Sequence, residues 1–276
     1  MNFLVKLEKI IKKNNSLVCV GLDSDITKIP HHLLHSKYPQ YEFNKAIINA
    51  TCDLVCAYKP NSAFYEAEGA KGINELKITC GYLRKKFPEV IIILDAKRAD
   101  IGNTNEGYVK MAFDYLGVDA ITLHPYLGRE ALEPFLKRKD KGCIILCRTS
   151  NSRAGEFQDL PVGKKKLYEK IAEQVIKKWN YNKNCLLVVG ATYPKELSII
   201  RKIVGGMTIL IPGIGTQGGN LEKTLKYGLN ARKKGLIINS SRAVIYASGG
   251  KDFAQKARQE TLKLKTEINK FRNKSS

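Results

Sequence analysis

The chain has 276 residues, of which 43% are hydrophobic, and it carries a formal net charge of +21. This length suits one barrel-sized domain, and no run of about 18 apolar residues occurs, so we expect no membrane span. The positive charge would attract anions, but the lysines are scattered, whereas nucleic-acid sites concentrate arginine and aromatic residues. We therefore interpret most of this charge as lysines on solvated helix faces, and we expect neither nucleic acid nor a membrane as partner.

The N-terminal segment, MNFLVKLEKIIKKNNS, has a hydrophobic stripe interrupted by lysines at helical spacing. It lacks the uninterrupted apolar stretch and the cleavage site of a signal peptide, which predicts a cytoplasmic protein. The seven cysteines agree with this location, because their number is odd and no Cys-x-x-Cys pair occurs. We interpret them as reduced, buried thiols. His31 and His35 could share a helical face, but no further ligand accompanies them, so we predict no metal site.

Eight short apolar runs recur along the chain, at 17–23, 54–60, 90–97, 119–125, 143–150, 185–191, 207–213 and 235–241. Most are continuous rather than alternating, which is typical of strands covered on both faces. Segments with helical period separate them and predict parallel strands joined by right-handed crossovers. Eight such units favour a single (β/α)8 TIM barrel domain over residues 1–276. An open doubly wound sheet is the alternative, but GLDSDITKIP lacks the G-x-G-x-x-G spacing of a dinucleotide site.

Three segments depart from this repeat. Residues 24–41 are expected to form a long loop or short helices. Residues 151–166, after the fifth strand, are too long and too polar for a simple connection, and we predict that they form a flap over the active site. From Lys251 onward the sequence predicts a final basic helix.

Charged and polar residues end the strands, at the face of such a barrel where active sites lie. Asp23, Lys59 and Asp95 end the first three runs and are 36 residues apart, one βα unit each. Asp95 and Lys97 are two positions apart, so on a strand both would face the barrel axis. A lysine between carboxylates stays charged and can deliver a proton; a solvated charged loop is the alternative. The other candidates at these strand ends are Asn61, Asp100, Thr149 and Ser150.

The last two strand ends indicate a phosphate site. PGIGTQGGN (212–220) is a glycine-rich turn whose amides could bind an anion, with Gln217 as a further donor. NSSRAVIY (239–246) follows the next strand and offers Arg242 to a phosphate. Because the loops after strands 7 and 8 form the usual phosphate seat of this fold, the two segments together predict a phosphorylated ligand.

These motifs resemble those of one known family. LDAKRADIGNT, with GLDSD upstream and PGIGTQGG and SSRAVIYAS downstream, closely resembles orotidine 5′-phosphate decarboxylase, and the flap CRTSNSRAGEFQDL is similar to that of its type 2 subfamily. The resemblance covers the chain from about residue 2 to residue 253. It implies conversion of orotidine 5′-phosphate to UMP and CO2, the last step of UMP biosynthesis, by a homodimer that uses no metal or cofactor.

The resemblance also implies a role for each matching residue. Lys97 would donate the proton within an alternating network with Lys59, Asp95 and Asp100, and Asp100 would reach into the partner subunit's site. Asp23 and Lys59 would hold ribose hydroxyls. The other implied substrate contacts are Asn61, Thr104 from across the dimer, Thr149, Ser150 at the pyrimidine amide edge, Pro212 beside the ring, and Gly215, Gln217, Ser241 and Arg242 at the phosphate.

One position departs from the family pattern, and two rival functions compete with the one it implies. TLHPYLG has His124 where asparagine is expected, and we interpret His124 as a hydrogen-bonded histidine in the pocket wall rather than an acid catalyst. The first rival is a magnesium-dependent sugar-phosphate decarboxylase or aldolase on the same barrel, although no extra glutamate follows the third strand. The second is a nucleic-acid-binding protein on an inactive barrel, whose oligonucleotide binding would fall steeply with salt.

Overall fold

The computed structural model describes residues 2–215 and 219–273. These residues contain the strands β1 (Val18–Leu22), β2 (Ala57–Pro60), β3 (Ile91–Arg98), β4 (Ala120–Leu123), β5 (Gly142–Arg148), β6 (Pro161–Val162), β7 (Lys165–Lys166), β8 (Cys185–Val189), β9 (Ile209–Ile211) and β10 (Leu236–Ser240). All except β6 and β7 are parallel and form a closed barrel in chain order, with β10 returning to pair with β1. β6 and β7 form a separate antiparallel hairpin.

Helices connect the strands and surround the barrel. They are α1 (Phe3–Asn14), α2 (Pro39–Thr51), α3 (Ala63–Glu66), α4 (Gly69–Lys86), α5 (Gly102–Val109), α6 (Gly128–Leu136), α7 (Gly155–Gln158), α8 (Leu167–Gln174), α9 (Pro194–Val204), α10 (Leu221–Gly228), α11 (Arg242–Ile245) and α12 (Phe253–Asn273). A 3-10 turn forms at His31–Leu33, and π-helical turns at Lys110–Leu116 and Val175–Trp179 extend α5 and α8.

Each of the eight predicted runs overlaps one barrel strand, and most observed strands are shorter than the run. Only β3 and β5 extend beyond their runs, by one residue each. The segment 151–166 was predicted as a flap loop, but it also holds α7 and the hairpin of β6 and β7. Gly163, with a φ of 64°, lies in the tight turn of this hairpin, where a left-handed conformation suits glycine. The predicted final helix is α12.

The first and last helices complete the packing of the barrel. In α1, Phe3, Leu7 and Ile10 are buried on one face at helical spacing. Lys6 on the same helix binds Asp119, just before β4, at 2.7 Å. In α12, the buried residues recur every three or four positions, and the helix packs against α2. These apolar stripes explain why both terminal segments are helical.

Six of the seven cysteines are buried, and all seven are free. Burial raises the pKa of Cys56 and of Cys80 to about 12, so both thiols stay protonated at neutral pH. Across residues 2–215 and 219–273, no three His, Cys, Asp or Glu side chains lie close enough to hold a metal ion. No helix within these same ranges is long and apolar enough to cross a bilayer.

Candidate active site

A cleft of about 460 Å³ opens at the C-terminal ends of the barrel strands. Its floor combines two kinds of side chain: an apolar group, Leu146, Val188 and Leu210, and a polar group, Lys59, Asp95, Thr122 and Asn239. A larger cavity of about 910 Å³ lies between α1 and α9, near the N-terminal ends of the strands, and none of the predicted site residues that the structure describes line it. The smaller cleft is therefore the candidate active site, because it holds the predicted charged and polar residues.

An alternating row of charges crosses the polar part of the floor. Lys59 Nζ lies 2.7 Å from Asp95 Oδ2 and 4.0 Å from Asp23 Oδ1. On the other side of the same carboxylate, Lys97 Nζ lies 2.7 Å from Asp95 Oδ1. The side chain of Lys59 is 4% exposed, whereas that of Lys97 is 49% exposed. The row thus ends in an ammonium group that a ligand or solvent can reach.

The opposite charges in this row stabilise one another. Burial alone would raise the pKa of Asp95, but the ammonium groups of Lys59 and Lys97 outweigh burial and hold that pKa well below its usual range. Burial would likewise lower the pKa of Lys59, but the carboxylates of Asp95 and Asp23 hold it above its usual range. Asp95 and Lys59 are therefore both charged at neutral pH.

Lys97 reaches the row through an irregular backbone. The register between β3 and β4 shifts between Leu94 and Arg98, and Lys97 has a φ of 49°. A left-handed φ is unfavourable for a residue that carries a Cβ. Asp95 and Lys97 meet in the cleft, as predicted, but the shifted register and the left-handed Lys97 show that this end of β3 departs from regular strand alternation.

Thr122 on β4 lies beside this bulge, and the sequence reasoning did not select it. Its hydroxyl Oγ1 lies 2.9 Å from Asp95 Oδ1 and 2.9 Å from the backbone nitrogen of Lys97. Thr122 is also buried in the floor of the cleft. Counting back by two from the polar end of the fourth strand would have placed Thr122 on the inner face, so this signal was present in the sequence.

Two buried oxygen atoms in the cleft, Asp23 Oδ1 and Asn239 Oδ1, have no hydrogen-bond partner among the residues described. A buried acceptor without a donor costs free energy, so both positions suit the donor groups of a ligand. Asn61 also lines the cleft and pairs through its backbone with Asp95. Asp23 and Asn61 were predicted as ligand contacts, whereas Asn239 was not.

Asp100 and Thr104 do not line the cleft of their own chain. Asp100 Oδ1 accepts a hydrogen bond from the backbone N–H of Ile101 at 2.7 Å, and the Asp100 backbone N–H donates to Asn105 Oδ1 at 2.8 Å. Asp100 makes no ion pair within residues 2–215 and 219–273, and Thr104 is exposed on α5. Within one chain, the row of charges therefore ends at Lys97 and does not include Asp100.

Thr149 and Ser150 lie together in the wall of the cleft, at the base of the flap. The backbone N–H of Thr149 donates to Gln158 Oε1 at 2.8 Å, and Gln158 Nε2 donates to Thr149 Oγ1 at 2.9 Å. Gln158, which the sequence reasoning missed, also lines the cleft. Gly190 makes room for this loop, because a Cβ there would lie 2.7 Å from Ser150 Cα.

Arg148 anchors the flap from beneath. Its buried guanidinium donates to the two carboxylate oxygens of Asp159 at 3.2 and 3.1 Å, and to the carbonyl oxygen of Thr149 at 3.1 Å. The same guanidinium lies 3.7 Å from the centroid of the Tyr193 ring. Arg148 therefore connects the end of β5, the segment after α7 and the loop after β8.

Ser241 and Arg242, predicted to bind phosphate, and Pro212, predicted to lie beside the ring, all line the same cleft. Ser241 Oγ donates to the carbonyl oxygen of Gly21 at 3.2 Å, and a Cβ on Gly21 would lie 2.6 Å from the Ser241 Cβ. Glycine at position 21 therefore permits this close approach of the two strand ends. Arg242 is exposed and makes no ion pair with the part of the chain that the structure describes, so an anion can reach its guanidinium.

Three other predicted positions have different outcomes. Gly215, with a φ of 91°, is exposed next to this wall but does not line it. Gln217 lies outside the described residues. His124 does not line the cleft, its imidazole makes no hydrogen bond within the described ranges, and its backbone N–H donates to Arg98 O at 3.1 Å. The prediction of a hydrogen-bonded pocket-wall histidine is wrong, because β4 ends at Leu123 and the chain then turns away.

Over residues 16–257 the sequence matches the family described as orotidine 5′-phosphate decarboxylase / HUMPS family. The chain belongs to this family. Among relatives named orotidine 5′-phosphate decarboxylase, that of Cellvibrio japonicus is 48% identical over 271 residues, which are 98% of this chain and 98% of the relative. The family predicted from the motifs is therefore confirmed.

Solved structures of this decarboxylase family have the same barrel. The structure of Leishmania donovani OMP decarboxylase superposes with a TM-score of 0.86 and 36% identity, and covers 100% of both chains. The structure of Leishmania donovani UMP synthase gives a TM-score of 0.89 and 38% identity; all of this chain aligns, and it spans 57% of that longer chain. The predicted fold class is thereby confirmed.

Proposed function

We propose that the chain decarboxylates orotidine 5′-phosphate to UMP and CO2, the final step of UMP biosynthesis. The observation that carries this proposal is the row of Lys59, Asp95 and Lys97, in which two ammonium groups lie 2.7 Å from one carboxylate and one of them faces an open cleft. Family membership and the names of the relatives support the same reaction. We also assign the chain to the type 2 subfamily and residues 1–276 to a single domain.

The chemistry of the substrate explains why such a row is useful. Loss of CO2 breaks the bond between the ring carbon and the carboxylate and leaves an electron pair in the plane of the ring, where the π system cannot delocalise it. A fixed cation beside that carbon stabilises the developing charge. Lys97 Nζ is this cation, and it then transfers one proton to the carbon to give UMP. Its amine is half exposed, so water can restore the proton afterwards.

Asp95 and Lys59 support this proton donor. Asp95 stays ionised and holds the Lys97 amine 2.7 Å from its Oδ1 in the cleft, while Lys59 neutralises the second carboxylate oxygen at 2.7 Å. Lys59 and Asp23 also hold ribose hydroxyls, and Asp23 Oδ1, which accepts no hydrogen bond from the described residues, suits a hydroxyl donor. Asn61 contributes a further polar contact. The reaction uses no metal and no cofactor, because the row itself supplies both the cation and the proton.

The remaining cleft residues bind the base and the phosphate. Ser150, supported by Thr149, reads the pyrimidine amide edge from the base of the flap, and Pro212 lies against the ring. The groups assigned to the phosphate are Arg242, the side chain of Gln217 and the amides near Gly215 and Ser241. Arg242 supports this assignment because it is exposed and makes no ion pair with residues 2–215 or 219–273. Phosphate binding energy can be used to close the flap over the site.

Asp100 and Thr104 act across a homodimer. Both residues lie outside the cleft of their own chain. Thr104 and the neighbouring Ile101 are exposed, which suits a position at a subunit interface. In the dimer, Asp100 extends the row of charges in the partner's site beyond the partner's Lys97, and Thr104 contacts the ribose bound there.

Mixing two inactive variants tests the shared site. A heterodimer of Lys97→Ala and Asp100→Ala subunits contains one intact site if Lys97 and Asp100 act from different chains, and none if they act from the same chain. After subunit exchange, half of the dimers would be mixed, so activity should rise to about one quarter of the wild-type value. A mixture that forms heterodimers and stays inactive would reject the shared arrangement.

The reaction is tested with purified protein, by following the loss of ultraviolet absorbance of orotidine 5′-phosphate in excess EDTA. We expect turnover that EDTA does not diminish. Absence of turnover, or turnover of a sugar phosphate only when Mg²⁺ is added, would instead favour the metal-dependent enzyme on the same barrel. Binding of oligonucleotides that weakens steeply with salt, without decarboxylation, would favour the nucleic-acid-binding alternative.

A further inference from the structure

Thr122 lies at the only position of β4 that contacts both Asp95 and Lys97 through described hydrogen bonds. Thr122 is buried, with 1% of the residue exposed, so water does not compete for its hydroxyl group. The contacts cross from β4 to β3 at the bulge, where the regular register between the two strands is lost. The hydroxyl therefore links β4 to β3 where the regular pairing of the two strands is interrupted.

The direction of both hydrogen bonds is determined by chemistry. An ionised carboxylate only accepts, so the single hydroxyl hydrogen of Thr122 is donated to Asp95 Oδ1 at 2.9 Å. The backbone N–H of Lys97 only donates, so Thr122 Oγ1 accepts it at 2.9 Å. The Thr122 side chain thus makes two contacts that bear on Lys97. It binds the Asp95 carboxylate, which holds the Lys97 amine, and it binds the backbone nitrogen of Lys97 itself.

These contacts limit two motions that would displace the amine. Asp95 Oδ1 accepts from both Thr122 and Lys97 Nζ, so rotation of the carboxylate is restrained by the hydroxyl. Lys97 has a φ of 49°, which a non-glycine residue adopts only when its surroundings hold it there. Without the Thr122 oxygen, the Lys97 N–H would lose its acceptor and the bulge could relax toward a regular strand.

We propose that Thr122 is a positioning residue that fixes the proton-donating amine of Lys97 over the reacting carbon. This inference rests on the proposed decarboxylation and adds to it a residue that acts through Asp95 and Lys97. The effect should fall on the chemical step, because a displacement of about 1 Å at the reacting atoms can reduce a rate by about 100-fold while binding contacts elsewhere are unchanged.

The test compares Thr122→Val, which removes the hydroxyl at nearly constant volume, with Thr122→Ser, which retains it. We expect Thr122→Val to lower kcat at least about tenfold with KM changed by less than about threefold, and Thr122→Ser to restore kcat to within about threefold of wild type. The matched control is Thr261→Val, which removes a buried hydroxyl that donates to Ala257 O at 2.7 Å in α12, away from the cleft. It should leave kcat unchanged.

A second readout isolates the proton transfer from the loss of CO2. By microscopic reversibility, Lys97 in wild type should exchange the ring hydrogen of bound UMP, at the carbon that lost the carboxylate, for deuterium in D2O. Proton NMR should show this exchange slowed in Thr122→Val about as much as kcat, while calorimetry should show UMP bound with wild-type affinity. A role confined to stability would lower the melting temperature without this pattern.

Several results would overturn the inference: a wild-type kcat in Thr122→Val, a loss carried by KM alone, or equal losses in the Val and Ser variants. If Thr122→Val does not fold, Thr122→Ala is compared with Thr122→Ser, since these two differ only by the hydroxyl. Wild-type protein that does not consume orotidine 5′-phosphate would refute the proposed function instead, so the two failures can be told apart.

Discussion

Replacing Lys97 by methionine should separate catalysis from stability. The Lys97 ammonium is 49% exposed, and ion pairs with an exposed partner contribute about 0.2–1 kcal/mol. Asp95 would keep its contacts with Lys59 and Thr122, so the free energy of unfolding should fall by at most about 1 kcal/mol. Loss of a proton donor costs roughly 10²- to 10⁴-fold and loss of an electrostatic stabiliser roughly 10²- to 10³-fold, so kcat should fall by at least about 10⁴-fold.

Both quantities can be measured on the same protein preparation, kcat from the ultraviolet absorbance of saturating substrate and the free energy of unfolding from urea titration. The matched control is Lys45→Met, which removes a lysine that is 39% exposed and lies 3.3 Å from Glu42 on α2. It should lose similar stability and keep its kcat. A Lys97→Met protein that is folded and retains kcat within about tenfold of wild type would refute the assignment of Lys97 as proton donor.

Three further predictions follow from the site. Arg242→Ala should raise KM about 10- to 100-fold with a smaller change in kcat, because a charged hydrogen bond contributes about 1.5–3 kcal/mol; an unchanged KM would contradict the phosphate assignment. The pKa of Asp95 is lowered in the folded protein, so its stabilising contribution is present above its unfolded pKa of about 4 and is lost as the pH falls through the folded value. Urea titrations should therefore show the stability difference between wild type and Asp95→Asn shrinking below about pH 4, and a difference that grew on acidification would argue against this coupling. Gly190→Ala would place a Cβ 2.7 Å from Ser150 Cα, so we expect a lower kcat/KM and a loss of about 1–3 kcal/mol in the free energy of unfolding; wild-type values for both would show that the flap base has room to move.

The barrel and most of the cleft could be predicted from the sequence, and the reasons are physical. Mostly continuous apolar runs indicated the eight strands, because strands covered on both faces carry apolar residues toward both sides. Asp23, Lys59 and Asp95 could be grouped without a structure, because a parallel barrel brings the C-terminal ends of successive strands to one face. Their contacts at 2.7 and 4.0 Å agree with that grouping.

Other features of the site depend on neighbours that are distant in sequence. The bulge at Lys97 depends on how β3 pairs with β4, and a regular period of two gives no sign of it. The need for glycine at position 190 comes from the backbone of Ser150, 40 positions earlier in the chain. Asp100 lies outside the cleft of its own chain, so the place that we propose for it in the row of charges would depend on a second subunit and not on the local sequence.

The pairing of β1 with β10 has a consequence for how the protein is made. β1 ends at Leu22, but its partner on one side, β10, begins only at Leu236. While the nascent chain is still short of residue 236, β1 keeps an unpaired edge that can join strands of other chains and aggregate. Synthesis that stalls before this point should therefore yield chains that depend on chaperones, and solubility should increase sharply once β10 leaves the ribosome.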